Sequence, residues 1–402
     1  MFNSKFLILN FSLFFCFNFF LDAQVKTFTV LDFGAHGNGK LDDTEPIQKA
    51  LNYIDYIGGG NLLIPSTGKD YLISNSLYIG SNTNLIFEGS FLKLIHFTKI
   101  GTILINKKNA HNINIINPLI DGNNIIAGGT GENGISIGNG HNIKILGGII
   151  KNCKKGKIAY KLGGKGIQVE GGEVINLNIN GTLIDNCSWG ISSQYDIGNN
   201  KEKIIQINFH NMKITNCENA GLIHQINGVK DVDSHIVKIK NMLVENSGNE
   251  DGIFVLSRAR NLTIDSLKVV GKNKIDSFLR GRHSNCQFSN IRIVQPLVAL
   301  INNKPSFHGQ DSNSISQNNS YEISVEQPID YIIMSSDDYT YSYRELRDSK
   351  LIIRTRSIIS TAIVQPQSAW ETTELDVYSF NKRLKDNATG IILKDANKFF
   401  SN

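Results

Sequence analysis

One short phrase recurs four times in this chain: Asn152-Cys153, Asn186-Cys187, Asn216-Cys217 and Asn246-Ser247, at offsets of 34, 30 and 30 residues. Each copy stands a few residues before a glycine and an aliphatic residue. A recurrence of this length marks a solenoid, because each unit buries its apolar face only by stacking on its neighbours. Any function must then sit on a surface made of stacked repeats.

Inside the repeats, Asn142-Ile143-Lys144-Ile145, Leu177-Asn178-Ile179-Asn180, Ile205-Gln206-Ile207-Asn208 and Val237-Lys238-Ile239-Lys240 alternate strictly between apolar and polar residues. That is the period of a strand. Short strands, three per repeat, with Gly and Asn between them and no helical segment, predict an all-β chain folded as a parallel β-helix. The asparagines of the phrase are expected to stack and bond amide to amide along the axis, with the small Cys or Ser beside each packed inward. A chain of 402 residues with 41% hydrophobic content and only 7 prolines can bury a continuous core of this kind.

The chain opens with Lys5, an apolar run from Phe6 to Leu21, and Asp22-Ala23-Gln24. This reads as a secretory signal over residues 1–23, cleaved after Ala23. A retained span needs roughly 20 apolar residues, whereas this run carries Asn10 and Asn18, so no membrane span is expected after cleavage. The mature chain is then secreted, to a periplasm or the exterior. The expected organisation is a β-helix over 24–365, with a capping segment at 28–66, and a C-terminal cap or tail over 366–402. Cys153, Cys187, Cys217 and Cys286 are read as buried thiols, since stacked parallel Cβ vectors suit a disulfide dihedral poorly. No pair has Cys-x-x-Cys spacing, so zinc has no support. The net charge of +5 is mild, and allows an acidic partner without demanding one.

The early segment reads Val30-Leu31-Asp32-Phe33-Gly34-Ala35, then Asp42-Asp43-Thr44, Ile47-Gln48-Lys49-Ala50, Gly58-Gly59-Gly60 and Leu63-Ile64-Pro65. It resembles the amino-terminal motif of the pectate lyase superfamily, the rhamnogalacturonase-like and epimerase-like right-handed parallel β-helix proteins. The resemblance implies a right-handed coil and a carbohydrate-active chain; the superfamily holds lyases, hydrolases, epimerases and members with no known chemistry. Physically, Ile47, Ala50, Leu51, Ile54 and Ile57 form one apolar helical face, with Thr44 to cap its start and Pro46 tolerated in the first turn. Such a helix would plug the open end of the coil, which makes Asp42 and Asp43 structural.

Polygalacturonase-like hydrolases of this architecture carry four motifs, Asn-Thr-Asp, Gly-Asp-Asp, Gly-His-Gly and Arg-Ile-Lys. Asn249-Glu250-Asp251-Gly252 resembles the first, whereas Gly271-Lys272-Asn273-Lys274 and Arg292-Ile293-Val294 depart from the second and last, and no Gly-His-Gly follows. Aligning Ile253 with Ile275 sets Asp276 beside Phe254, roughly 11 Å from Asp251 at Cα. That exceeds the roughly 6.5–9.5 Å of an inverting carboxyl pair.

The same alignment, an offset of 22, stacks Arg258 on Arg280, Arg260 on Arg282 and Arg282 on Lys304. Like charges opposed in a sheet repel, so such a ladder is relieved by a bound polyanion or by pairing with Glu250, Asp276 or Asp265. A cationic strip beside carboxylates suits β-elimination on a uronic acid polymer, whose enolate-like transition state is stabilised by charge pressed on the uronate carboxylate. In that reading His283 is the general base and Arg280 neutralises the carboxylate. Glu250 or Asp251 holds a calcium ion or orients an arginine, and Arg258, Arg260, Arg282, Lys304 and Asp276 bind substrate. His224 falls on the inward parity and reads as a core residue. Tyr339, Tyr341 and Tyr343 form either a sugar-stacking face or packing against a neighbouring strand.

There is no Gly-rich phosphate loop, no nucleophile elbow and no basic and aromatic interleaving for nucleic acid. Three functions stay open: a lyase acting on an acidic polysaccharide, a polyuronate above all; a hydrolase of polygalacturonase type using Asp251; and a glycan-binding protein without catalysis.

Overall fold

The computed structural model describes residues 26–95, 101–125, 132–156, 163–170, 173–196, 204–226, 235–302, 316–327, 329–334, 346–347, 349–355, 363–364 and 374–379. The expected signal over 1–23, Lys304 and Tyr339, Tyr341 and Tyr343 lie outside the described residues. Among the described residues no helix is long and apolar enough to cross a membrane.

Three strands make each turn through Ile226, and from His235 on one long strand, such as His235–Glu245 or Leu262–Val270, takes the place of the first two. Gly140–Leu146, Ile149–Lys151 and Lys165–Glu170 form one turn, and Val174–Asn180, Leu183–Asp185 and Trp189–Asp196 form the next. Each strand pairs in parallel with its counterpart one turn on. The first two strands of these turns, or the long strand that replaces them, build one sheet and the remaining strand builds a second, so the chain is a parallel β-helix. Strand Glu374–Ser379 still pairs in register with Lys350–Thr355, which carries the first sheet past the expected boundary at 365.

The alternation seen in the sequence explains the register. Ile113, Ile143, Leu177, Ile207 and Val237 fall on one interior column, and Ile115, Ile145, Ile179, Phe209 and Ile239 on the next. All are buried. Each such side chain contributes about 1.5–3 kcal/mol relative to exposure, and a one-residue slip would turn the whole set outward.

The asparagines of the repeated phrase turn the corners. Asn152, Asn186, Asn216 and Asn246 have φ of 59°, 52°, 55° and 48°, a left-handed conformation that Asn tolerates better than most residues. Asn186 Nδ2 donates to Asn152 Oδ1 at 2.7 Å as expected, but Asn216 donates instead to Asp185 Oδ1, at 2.7 Å. Cys153, Cys187, Cys217 and Cys286 are buried free thiols.

Helix Thr44–Tyr56 buries Ile47, Ala50, Leu51 and Ile54 in the same core as the strands. Its N-cap is Asp43, not Thr44. Asp42 Oδ1 takes the Thr44 N–H at 3.0 Å, while the buried Asp43 carboxylate accepts the N–H groups of His36 and Gly37 at 2.6 and 3.0 Å. Gln48 treats the first strand of the second sheet as a partner strand would: its Oε1 accepts the Tyr78 N–H at 2.8 Å and its Nε2 donates to the Tyr78 carbonyl at 3.2 Å.

One column of small residues shapes the second sheet's outer face. An ideal Cβ on Gly134, Gly166 or Gly190 would meet a methyl of Ile150, Ile184 or Ile214 at 2.4, 2.4 and 2.8 Å. The backbone therefore presses against the core at these points. Lys165 and Gln168, on either side of Gly166 and the core residue Ile167, reach the same acceptor.

Candidate functional site

The outer face of the second sheet carries a polar network that the sequence reading did not find. Asn133 Nδ2 donates to Gln168 Oε1, and Gln168 Nε2 donates to Glu170 Oε2. Gln168 Nε2 also reaches Gln194 Oε1 at 3.4 Å. Lys165 Nζ donates to that same Gln194 oxygen at 3.1 Å. The Lys165 side chain is enclosed, with the residue 1% exposed. Removal from water disfavours its charged form and pulls its pKa down to about 8, with Glu170 opposing the shift. Glu170 itself is exposed.

Glu170 and Gln194 are one wall of an open cleft of about 690 Å³ that also includes Tyr78, Lys107, Lys108 and Gly138. Pairings Ile105↔Ser136 and Ile137↔Val169, continued along the strands, set Gly138 between Lys107 and Glu170. Gly138 forms part of the cleft's lining at that middle position. Asn106 fixes the glycine from both sides: its Oδ1 accepts the Gly138 N–H and its Nδ2 donates to the Gly138 carbonyl, each at 2.8 Å. Lys107 Nζ is held by Asp55 Oδ2 at 2.9 Å and Asn52 Oδ1 at 3.2 Å, both on the N-terminal helix.

Beside this network, at the turn before Asn133, Glu132 is 1% exposed. Burial raises its pKa to about 7, against the N–H of Lys154 that favours the anion. Its Oε2 accepts that N–H at 3.3 Å, and among the described residues its Oε1 has no partner.

The described residues singled out from the sequence lie further along the same sheet, and among them the expected cationic ladder does not form. Phe254 pairs with Leu279 and Ser257 with Arg282, an offset of 25, not 22. A bulge then shifts the register, so that Ala259 pairs with His283 and Arg260 with Ser284. Arg258, at φ 53°, is the extra residue. Arg280 stands opposite Val255 and Arg282 opposite Ser257, so neither stacks on Arg258 or Arg260.

Arg280 is clasped by its own acid. Its Nη1 bonds Asp251 Oδ1 and the Glu250 carbonyl, the latter at 3.0 Å. Asp251, expected as a calcium ligand or an arginine orienter, lies against the Arg280 guanidinium. Among the described residues no three His, Cys, Asp or Glu side chains converge as metal ligands. Arg282, expected to face substrate, is 2% exposed and enclosed by protein.

His283, expected as the general base at the edge of the strip, lies in the core. It is 1% exposed, its Nε2 lies 2.6 Å from Tyr321 Oη and its Nδ1 3.3 Å from the Gly281 carbonyl, and burial lowers its pKa to about 4. His224 shows the opposite error: expected inside, it is half-buried between Gln194 and Ser257 in the outer column.

Asp276 also moves. With the offset of 25 it falls on the rung directly beside the Asp251 turn, its N–H donating to the Asn249 carbonyl at 3.4 Å. Its Oδ2 accepts from Asn302 Nδ2 at 2.7 Å.

No family model matches the sequence. Over 108 residues, 24% of this chain, it is 34% identical to "Alginate lyase 7" of Azotobacter vinelandii, of which it spans only 13%. Among solved structures it is similar to a family 28 exopolygalacturonase of Yersinia enterocolitica, with TM-score 0.61 and 13% identity, covering 93% of this chain and 78% of that one. It is also similar to the tailspike protein of Escherichia coli bacteriophage HK620, with TM-score 0.55 and 11% identity, covering 92% and 78%. The chain shares the parallel β-helix fold of these two structures.

Proposed function

We propose that this protein cleaves an acidic polysaccharide, a polyuronate, by β-elimination in the cleft beside Lys165. The observation that supports it is the placement of Lys165: an enclosed lysine with its pKa near 8, bonded to a glutamine that forms the cleft wall. At pH 7 about a tenth of such a group is the free amine, within the range in which lysine acts as a general base. A uronate that displaces Gln194 Oε1 from Nζ meets that base. The amine takes the C5 proton, the C4–O bond breaks, a C4=C5 double bond forms, and the departing oxygen takes its proton from the ammonium just made. The amides of Gln168 and Gln194 are donors for the carboxylate on which negative charge accumulates. Local likeness to an alginate lyase fits this reading. Export through a signal over residues 1–23 belongs to the same proposal, with the N-terminal helix as the cover of the coil's first turn.

A second reading is favoured by one observation. The observed register brings Asp276 onto the rung beside Asp251, which removes the separation that argued against a hydrolytic pair.

Incubation of the full chain with polygalacturonate, alginate and chondroitin sulfate, following ultraviolet absorbance and reducing ends together, tests both. Elimination raises both signals. Reducing ends without absorbance mean hydrolysis, and the Lys165 reading fails.

A further inference from the structure

The cleft has two unlike walls across a glycine floor. On one side stand Lys107 and Lys108, on the other Glu170 and Gln194. Two strand spacings separate the Lys107 and Glu170 positions, about 10 Å at Cα, room for a single sugar ring with side chains reaching it from each side. The asymmetry in charge is sharper than the lining suggests. Lys107 is neutralised and held back by Asp55, whereas Lys108 is exposed and among the described residues no carboxylate pairs with it.

We infer that the surface over Gly138 is a one-sugar seat for a uronate, with Lys108 as the residue that reads its carboxylate and the Asp55–Lys107 pair as the device that fixes the cationic wall. The inference rests on the proposed action on polyuronates and adds which charge selects them. Gly138 admits the ring because it has no side chain, and the amide of Asn106 locks its peptide against rotation. A Cβ there would lie 2.6 Å from the Glu170 carbonyl. Tyr78 supplies an aromatic flank and Glu170 meets the ring hydroxyls on the far side, while Gln194 serves the neighbouring uronate of the polymer, whose carboxylate lies beside Lys165. Asp55 is a positioning residue: it acts on the sugar only through Lys107. The N-terminal helix thus contributes to the cleft as well as to the core.

The test is retention of the full chain in affinity gels containing polygalacturonate, alginate or neutral dextran, beside its elimination kinetics. Lys108→Ala is expected to weaken retention by either polyuronate roughly tenfold, as loss of one charge-assisted contact does. It should raise KM by the same factor, leave kcat unchanged, and be partly rescued by Lys108→Arg. Asp55→Asn, which leaves the helix surface intact, should change KM in the same assay while sparing binding to dextran. Equal retention of parent and Lys108→Ala overturns the seat, as does a parent retained no better by polyuronates than by dextran. A parent that is retained through Lys108 yet releases no unsaturated product upholds the seat and defeats the elimination reading instead.

Discussion

Lys165 Nζ and Gln194 Oε1 meet at 3.1 Å across neighbouring strands of the second sheet, and this contact joins an enclosed cation to the wall of the cleft. Lys165 is followed by Gly166, where the backbone lies too close to Ile184 for any side chain.

If Lys165 is the base, elimination requires its neutral form, so the initial rate should climb with pH and level off above about 8. Glu170 raises the pKa of Lys165, and Glu170→Gln removes that effect. The rising limb of the variant should therefore lie at lower pH than the parent's. An unmoved or upward-shifted limb in ultraviolet rate assays contradicts the assignment.

Gly166→Ala should destabilise the coil by about 1–3 kcal/mol, the usual cost of forcing a methyl into a packed core. The new Cβ would stand 2.4 Å from an Ile184 methyl and 2.8 Å from the Gly190 carbonyl. A urea midpoint equal to the parent's would show that the strand does not press on the core there.

His235 and His283 are buried with pKa lowered to about 4 from 6.5. The unfolded chain takes up these protons below 6.5 and the folded chain does not, so stability is full above 6.5 and falls as the pH drops toward 4. Each group can cost up to about 3 kcal/mol over that window. His283→Gln should flatten part of the slope in urea titrations between pH 7 and 4, and an unchanged slope contradicts the burial assigned to this ring.

Glu132 has the reverse dependence. Its folded pKa is raised to about 7 from 4.5, so the folded chain keeps a proton that the unfolded chain has released. Its contribution is full below 4.5 and is lost as pH rises through 7. Glu132→Gln, which cannot ionise, should unfold at higher urea than the parent at pH 8 and show a smaller gain at pH 5.

The solenoid was legible because its signals are local and repeated. The Asn-Cys phrase marks the corners, and the period-two runs such as Leu177-Asn178-Ile179-Asn180 mark the interior columns. Site geometry was not, because turn length varies from rung to rung. Arg258 and Arg280 are 22 apart in sequence, but the strands pair at 25, and nothing in the composition of the intervening loop gives that difference. The bulge at Arg258 is a second local event that shifts the register, so His283 pairs with the buried Ala259 and enters the core. One signal for Lys165 was present. Asn133-Gly134-Ile135, Lys165-Gly166-Ile167 and Trp189-Gly190-Ile191 repeat one pattern, and the single cation among three outward positions marks the rung that differs.

The most direct measurement is the ultraviolet initial rate on polygalacturonate and alginate for the parent, Lys165→Met and Asp251→Asn, at equal protein concentration and with folding checked by circular dichroism. Loss of a general base lowers the rate by about 10²–10⁴-fold, so Lys165→Met should fall by that much while Asp251→Asn stays within a few-fold of the parent. A Lys165→Met variant that keeps the parent's rate, or an Asp251→Asn variant that alone abolishes it, contradicts catalysis beside Lys165.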